Sequence, residues 1–103
     1  MLRCKGIETA GPERCYFRVV DADLPASVES LERVARLADI LLRENSLAGG
    51  FRAAGPGLLV LELSEGQRTY FHDGIVFAAI DAHNDHVKNP TLTLSADDIP
   101  PSG

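Results

Sequence analysis

The sequence predicts an α+β fold: one long helix packed on a mainly antiparallel sheet of about four to six strands, in the order (β)-β-α-β-β-β-(β). Three features carry that expectation. RCYFRVVD, residues 14–21, is β-branched and aromatic and reads as a strand. LPASVESLERVARLADILLREN, residues 24–45, repeats apolar residues at helical spacing. Beyond it, GLLVLELS, QRTYFH and IVFAAIDA are separated by Glu65-Gly66 and Asp73-Gly74, and Asp-Gly between apolar segments is a strong two-residue hairpin signal.

Taken in chain order, residues 2–8 are a candidate partner strand, weakened by Gly6 and by Arg3 and Lys5. A hairpin around TAGPE would place Cys4 near Val19 and Cys15 near Glu8, too poorly aligned for a disulfide, so two thiols are expected. In residues 14–21, Cys15, Phe17 and Val19 share one face, and Tyr16, Arg18 and Val20 the other. Pro25 suits a first helical turn, with Ser27 as the alternative N-cap. Val28, Leu31, Val34, Ala35, Ala38, Leu41 and Leu42 form the apolar stripe of the helix. Glu29–Arg33, Glu32–Arg36 and Asp39–Arg43 are acid-before-base pairs on its other side, each contributing about 0.3 kcal/mol. NSLAGGFRAAGPG then ends the helix as a glycine-rich, mobile connection. It is not a phosphate-binding loop, since it lacks GK[ST] and follows a helix instead of preceding one.

With two-residue turns, the meander register is found by counting. Leu61, Tyr70 and Phe77 align, as do Leu63, Arg68 and Ala79, with Leu59, His72 and Ile75 as the end row. The opposite face carries Val60, Glu62, Thr69, Phe71, Val76, Ala78 and Ile80. The helix stripe is expected to pack on the row of Leu61, Tyr70 and Phe77, so the second apolar face calls for the N-terminal strands, a dimer mate or another partner. TLTLS at 91–95 is a candidate last strand, and residues 96–103 are an acidic, Pro-rich tail. No internal boundary or repeat divides residues 1–103, which read as a single domain.

Composition narrows the function. A formal net charge of −5 and a pI near 5.0 argue against nucleic acid or anionic membrane as a direct partner and are compatible with a basic protein partner. No CxxC or Cys/His spacing points to zinc, and no cofactor motif is present. The N-terminal residues lack a signal-peptide apolar run, and no apolar stretch approaches ~20 residues, so a cytoplasmic protein is expected.

Two groups invite a chemical reading. DAHNDH at 81–86 brings His83 and His86 beside Asp81 and Asp85, but Asn84-Asp85 favours a turn and no third ligand lies at a recognisable spacing. The segment reads as a solvated strand-to-strand connection without metal. His72 lies near Tyr70 and Asp73, a group able to transfer protons, yet a histidine at a hairpin end more simply covers the sheet edge. Ser27, Ser46 and Ser64 lack a G-x-S-x-G context, so no catalytic residue is assigned and a non-enzymatic protein is expected. The excess of carboxylates in residues 73–103 is a one-sign region that can steer a cationic partner. Asp73, Asp81 and Asp85, with Tyr70 or Phe71 adjacent, form the expected partner-binding surface.

A small acidic domain without a catalytic motif, with acidic stretches such as HDG and DAHND, resembles the immunity proteins of bacterial toxin–immunity pairs, including those of contact-dependent growth inhibition systems. The likeness is one of character, and no residue is carried over by position. It implies a non-enzymatic inhibitor that occludes the active site of a basic, nuclease-type toxin domain. The alternatives are a homodimeric chaperone or assembly module that uses the second sheet face, and a small enzyme that uses His72 or the His83/His86 pair.

Overall fold

The computed structural model describes residues 1–11, 13–63 and 70–88, with only the backbone described at 70 and 71. An antiparallel sheet of five strands is covered on one face by two helices. The elements are β1 (Leu2–Thr9), β2 (Arg14–Asp21), β3 (Leu24–Pro25), α1 (Val28–Glu44), β4 (Gly50–Gly55), β5 (Leu58–Glu62) and α2 (Tyr70–Lys88). The strand order is β1-β2-β5-β4, with the short β3 paired to the end of β2. Helix α1 lies against β4 and α2, and α2 reaches back to β1, so each helix packs on an edge strand of the other hairpin.

The core follows the alternation of β2. Cys15, Phe17 and Val19 are fully buried and share their face with Leu59 and Leu61 of β5. The expected β1–β2 hairpin is present, with Cys4 opposite Val19. Cys15 lies opposite Thr9 and not Glu8, because a bulge between Cys4 and Gly6 shifts the register. Neither cysteine is in a disulfide, and burial pushes the Cys4 thiol up from its ordinary range.

Ser27 is the N-cap of α1: its hydroxyl accepts the Ser30 N–H at 3.2 Å, while Pro25 belongs to β3. Leu31, Val34, Ala35, Ala38 and Leu42 are buried as the stripe requires. None of the three expected ion pairs on α1 closes to bonding distance among the described residues. Their long side chains remain solvated, which costs the helix little. The C-terminus is a Schellman motif: Leu47 N–H donates to Leu42 C=O and Ser46 N–H to Arg43 C=O, with Ser46 at φ +56.

Two expectations are corrected. The glycine-rich segment contains a strand: Gly50–Gly55 is β4, paired with β5 along its length and turned into it by Pro56-Gly57. Gly57 has φ +73, and a Cβ there would lie 2.9 Å from Pro25 Cβ, so the turn requires glycine. The strand was hidden because an edge strand needs little intrinsic propensity when a well-formed neighbour supplies the ladder.

The larger correction concerns the meander. Its first strand is β5, but Tyr70–Lys88 is one continuous helix and not the strands and Asp73-Gly74 turn that were expected. The Glu65-Gly66 turn, TLTLS and the tail at 96–103 lie outside the described residues. The predicted rows therefore dissolve: Val76 and Ile80, assigned to a second sheet face, are buried in the common core, and Phe77 faces outward. The α+β class, with α1 on an antiparallel sheet, stands.

Gly74 provides a direct check. It is exposed, its Cβ would meet nothing within 4 Å, and it is not among the positive-φ glycines. Gly74→Ala is expected to stabilise the domain by about 0.5–1 kcal/mol, as in a helix interior. A hairpin turn with positive φ at this residue would instead be destabilised, and denaturant titration separates the two signs.

A candidate protein-binding surface on α2

The sheet's outer face is occupied by cross-strand charge pairs. Arg18 pairs with Glu8 at 3.4 Å, while Arg14 and Arg52 both reach Glu62, at 3.2 and 3.1 Å. Val60 is fully buried on this side, opposite Tyr16 and Arg52, whose apolar stems can screen it. This is a solvated sheet face and not the second apolar face on which the homodimer alternative rested.

The buried side of α2 is the key to its placement. His72, Ile75, Val76, Ala79, Ile80 and His83 recur at helical spacing and are all buried. A histidine closes the stripe at each end. His72, 1% exposed, lies with Nε2 2.8 Å from Ala48 C=O. It sits on the buried side of the first turn of α2 and not over a hairpin end. His83 is 6% exposed, so DAHNDH is the buried and exposed faces of a helix and not a solvated connection. Burial, then the charge of Arg33 and His86, pushes the His83 imidazole below its ordinary range.

Polar side chains of the helices also satisfy strand edges. Asn84 accepts the Leu2 N–H at 2.8 Å and donates to Leu2 C=O at 2.9 Å, a two-pronged clasp of α2 on edge strand β1. At the opposite edge, Asp39 of α1 accepts the Phe51 N–H of β4 at 2.9 Å. Burial raises the Asp39 carboxyl above its ordinary range, and the Phe51 N–H and Arg43 hold it back.

These contacts leave the other side of α2 facing solvent. Phe77, Ala78, Asp81, Asp85 and Lys88 are exposed along it, and Phe77, Asp81 and Asp85 stand one turn apart. Phe77 is 46% exposed. Among the described residues neither Asp81 nor Asp85 forms an ion pair. Of the expected partner-binding residues, the structure places Asp81 and Asp85 together on this stripe. Asp73 lies a step inward: it is half-buried in the first turn of α2, with one carboxylate oxygen enclosed. The side chains of Tyr70 and Phe71 lie outside the described set. Phe77, assigned to the interior from the sequence, is exposed.

Asp81 and Asp85 occupy the half of α2 nearer its negative end, where carboxylates oppose the helix dipole by about 0.3–1 kcal/mol at the last turn. Their placement does not serve the helix's own stability. Among the described residues no group of three or more His, Cys, Asp or Glu could hold a metal ion, and no helix is long and apolar enough to cross a membrane. Comparison with protein-family models, with curated proteins and with solved structures finds no match.

Proposed function

We propose that this chain is a non-enzymatic protein-binding inhibitor, a cytoplasmic immunity protein that neutralises a basic, nuclease-type bacterial toxin by covering its active site. The observation that supports the reading is the exposed stripe of α2, where Phe77 is followed by Asp81 and Asp85 on successive turns, neither carboxylate in an ion pair among the described residues. A groove that binds nucleic-acid phosphates presents Lys and Arg, and carboxylates fixed on a rigid helix can take the phosphate positions. An adjacent aromatic ring supplies the apolar anchor that charge alone does not provide. The net charge of −5 favours fast encounter with such a partner.

The imidazoles are arranged differently from a proton-transfer site. Both His72 and His83 are enclosed at the ends of a packing stripe, which favours structural roles for them over the small-enzyme alternative. The test is complex formation between the purified chain and a basic toxin domain encoded in the neighbouring reading frame. The wild-type chain should bind it and block its nuclease activity, and the double reversal Asp81→Lys/Asp85→Lys should do neither. Lack of a complex with the wild-type chain, or full inhibition by the double variant, would overturn the proposal.

A further inference from the structure

A buried imidazole and the clasp that holds α2 to β1 occupy consecutive positions in the chain. His83 is 6% exposed, and its Nδ1 is enclosed with no hydrogen-bond partner among the described residues. Asn84, the next residue, holds both the N–H and the C=O of Leu2. The ring borders a cleft of about 330 Å³ whose walls also include Glu29, Ser30 and Arg33 of α1, Asp21 of β2 and Met1. The charged groups acting on it are Arg33 from α1, Asp21 from β2, the Met1 α-amino group ahead of β1, and His86 on α2 itself, and Glu29 of α1 lines the same cleft.

That surrounding suits a neutral ring and not a cation. Arg33, His86 and the α-amino group all disfavour an imidazolium. Asp21 favours one, but its carboxylate is already engaged by the Met1 α-amino group at 2.9 Å. An imidazolium held in place would carry an enclosed N–H with no acceptor at Nδ1, which is costly in a poorly solvated site. Moving the ring toward the adjacent cleft relieves that cost and pulls on Asn84. We propose that His83 is an acid-sensitive latch: its protonation releases the C-terminal half of α2 from β1 by opening the Asn84 clasp on Leu2.

The sign follows from linkage. In the released form His83 titrates near its ordinary 6.5, and in the clasped form it titrates lower. The clasp is therefore fully held above that value and weakens as pH falls below it. The ratio of released to clasped molecules grows by up to about tenfold per pH unit, until the clasped form itself takes up the proton. The latch goes beyond the inhibitor reading and does not depend on it.

The experiment is an NMR titration of the full chain between about pH 7.5 and about pH 4.5, a range that spans imidazole ionisation. It follows the His83 ring, the Asn84 side-chain amide and the Leu2 amide protection factor, corrected for the intrinsic pH dependence of exchange. The three probes should change together, with Leu2 protection falling by up to about tenfold per pH unit below the ordinary imidazole value. His83→Gln should flatten the Leu2 response, whereas His86→Gln should keep it, with the midpoint moved slightly upward because one repelling charge is gone. Unchanged Leu2 protection across the range, or a clasp transition whose midpoint differs from that of the His83 ring in the wild-type chain, would overturn the latch. Those wild-type readouts decide the matter even where His83→Gln does not fold.

Discussion

Replacing Phe17 by alanine is expected to cost the domain about 3–5 kcal/mol, the range for a large aromatic removed from a closed core. Phe17 is fully buried on β2, a strand flanked on both sides by others, between Ile7 of β1 and Leu59 of β5. Its ring lies 6.3 Å from that of Phe51 on β4, tilted by 51°. The ring therefore joins β2 to β4 within the buried layer between the sheet and the helices. A domain of this size has about 5–15 kcal/mol of stability to lose. Denaturant titration should show the midpoint fall steeply, to a chain partly unfolded at room temperature at the low end of that range. A loss below about 1 kcal/mol, typical of surface changes, would show that the inner face of β2 is not the centre of the core.

The second large effect is on binding. Asp81→Lys/Asp85→Lys should weaken the complex with a basic toxin domain by about 100-fold or more, or about 2.7 kcal/mol. Each change removes an attraction and installs a repulsion, and the association rate should lose its steep dependence on salt because the net charge falls from −5 to about −1 and the steering field is nearly cancelled. Folding should not suffer. Lysines near the end of α2 complement the helix dipole, so the variant is expected to match or slightly exceed the wild-type stability, by about 0.3–1 kcal/mol at the last turn. Loss of affinity with retained stability separates a recognition surface from a structural one. Unchanged affinity would place the contact elsewhere.

The elements with the strongest local signals were legible in the sequence. Residues 14–21 have the composition of a strand and form β2, and residues 28–44 carry a stripe and a capping serine and form α1. Leu59, Leu61 and Leu63 alternate as β5 and its exit require, and all three are buried. The failure lies at α2, where two signals competed. IVFAAI is an apolar run that suits a buried strand or a buried helix equally, and Asp73-Gly74 tips a local reading toward a hairpin. Tertiary packing decided otherwise. The decisive pattern is His72, Ile75, Val76, Ala79, Ile80 and His83, which extends over three helical turns only when the two histidines are counted as core positions. An imidazole can close an apolar stripe when it meets a backbone carbonyl, as His72 meets Ala48. Strand β4 was missed for the opposite reason, because its pairing with β5 comes from the neighbour and leaves little trace in GFRAAG.

The candidate surface was legible only in part. Counting charge singled out Asp81 and Asp85, and both are exposed. Sequence position alone could not show that Asp73 is turned partly inward, nor that Phe77 is the neighbouring aromatic on the outside. Both facts depend on a helical period of 3.6 residues in place of a strand period of 2.

Everything functional here rests on α2 meeting another macromolecule with its outward side. The direct measurement is amide hydrogen exchange on the chain alone and in complex with a basic toxin domain of the kind proposed as its partner. Added protection should be concentrated in residues 74–88, with β2 and β5 unchanged. Added protection confined to those two strands, with α2 exchanging as in the isolated chain, would contradict this.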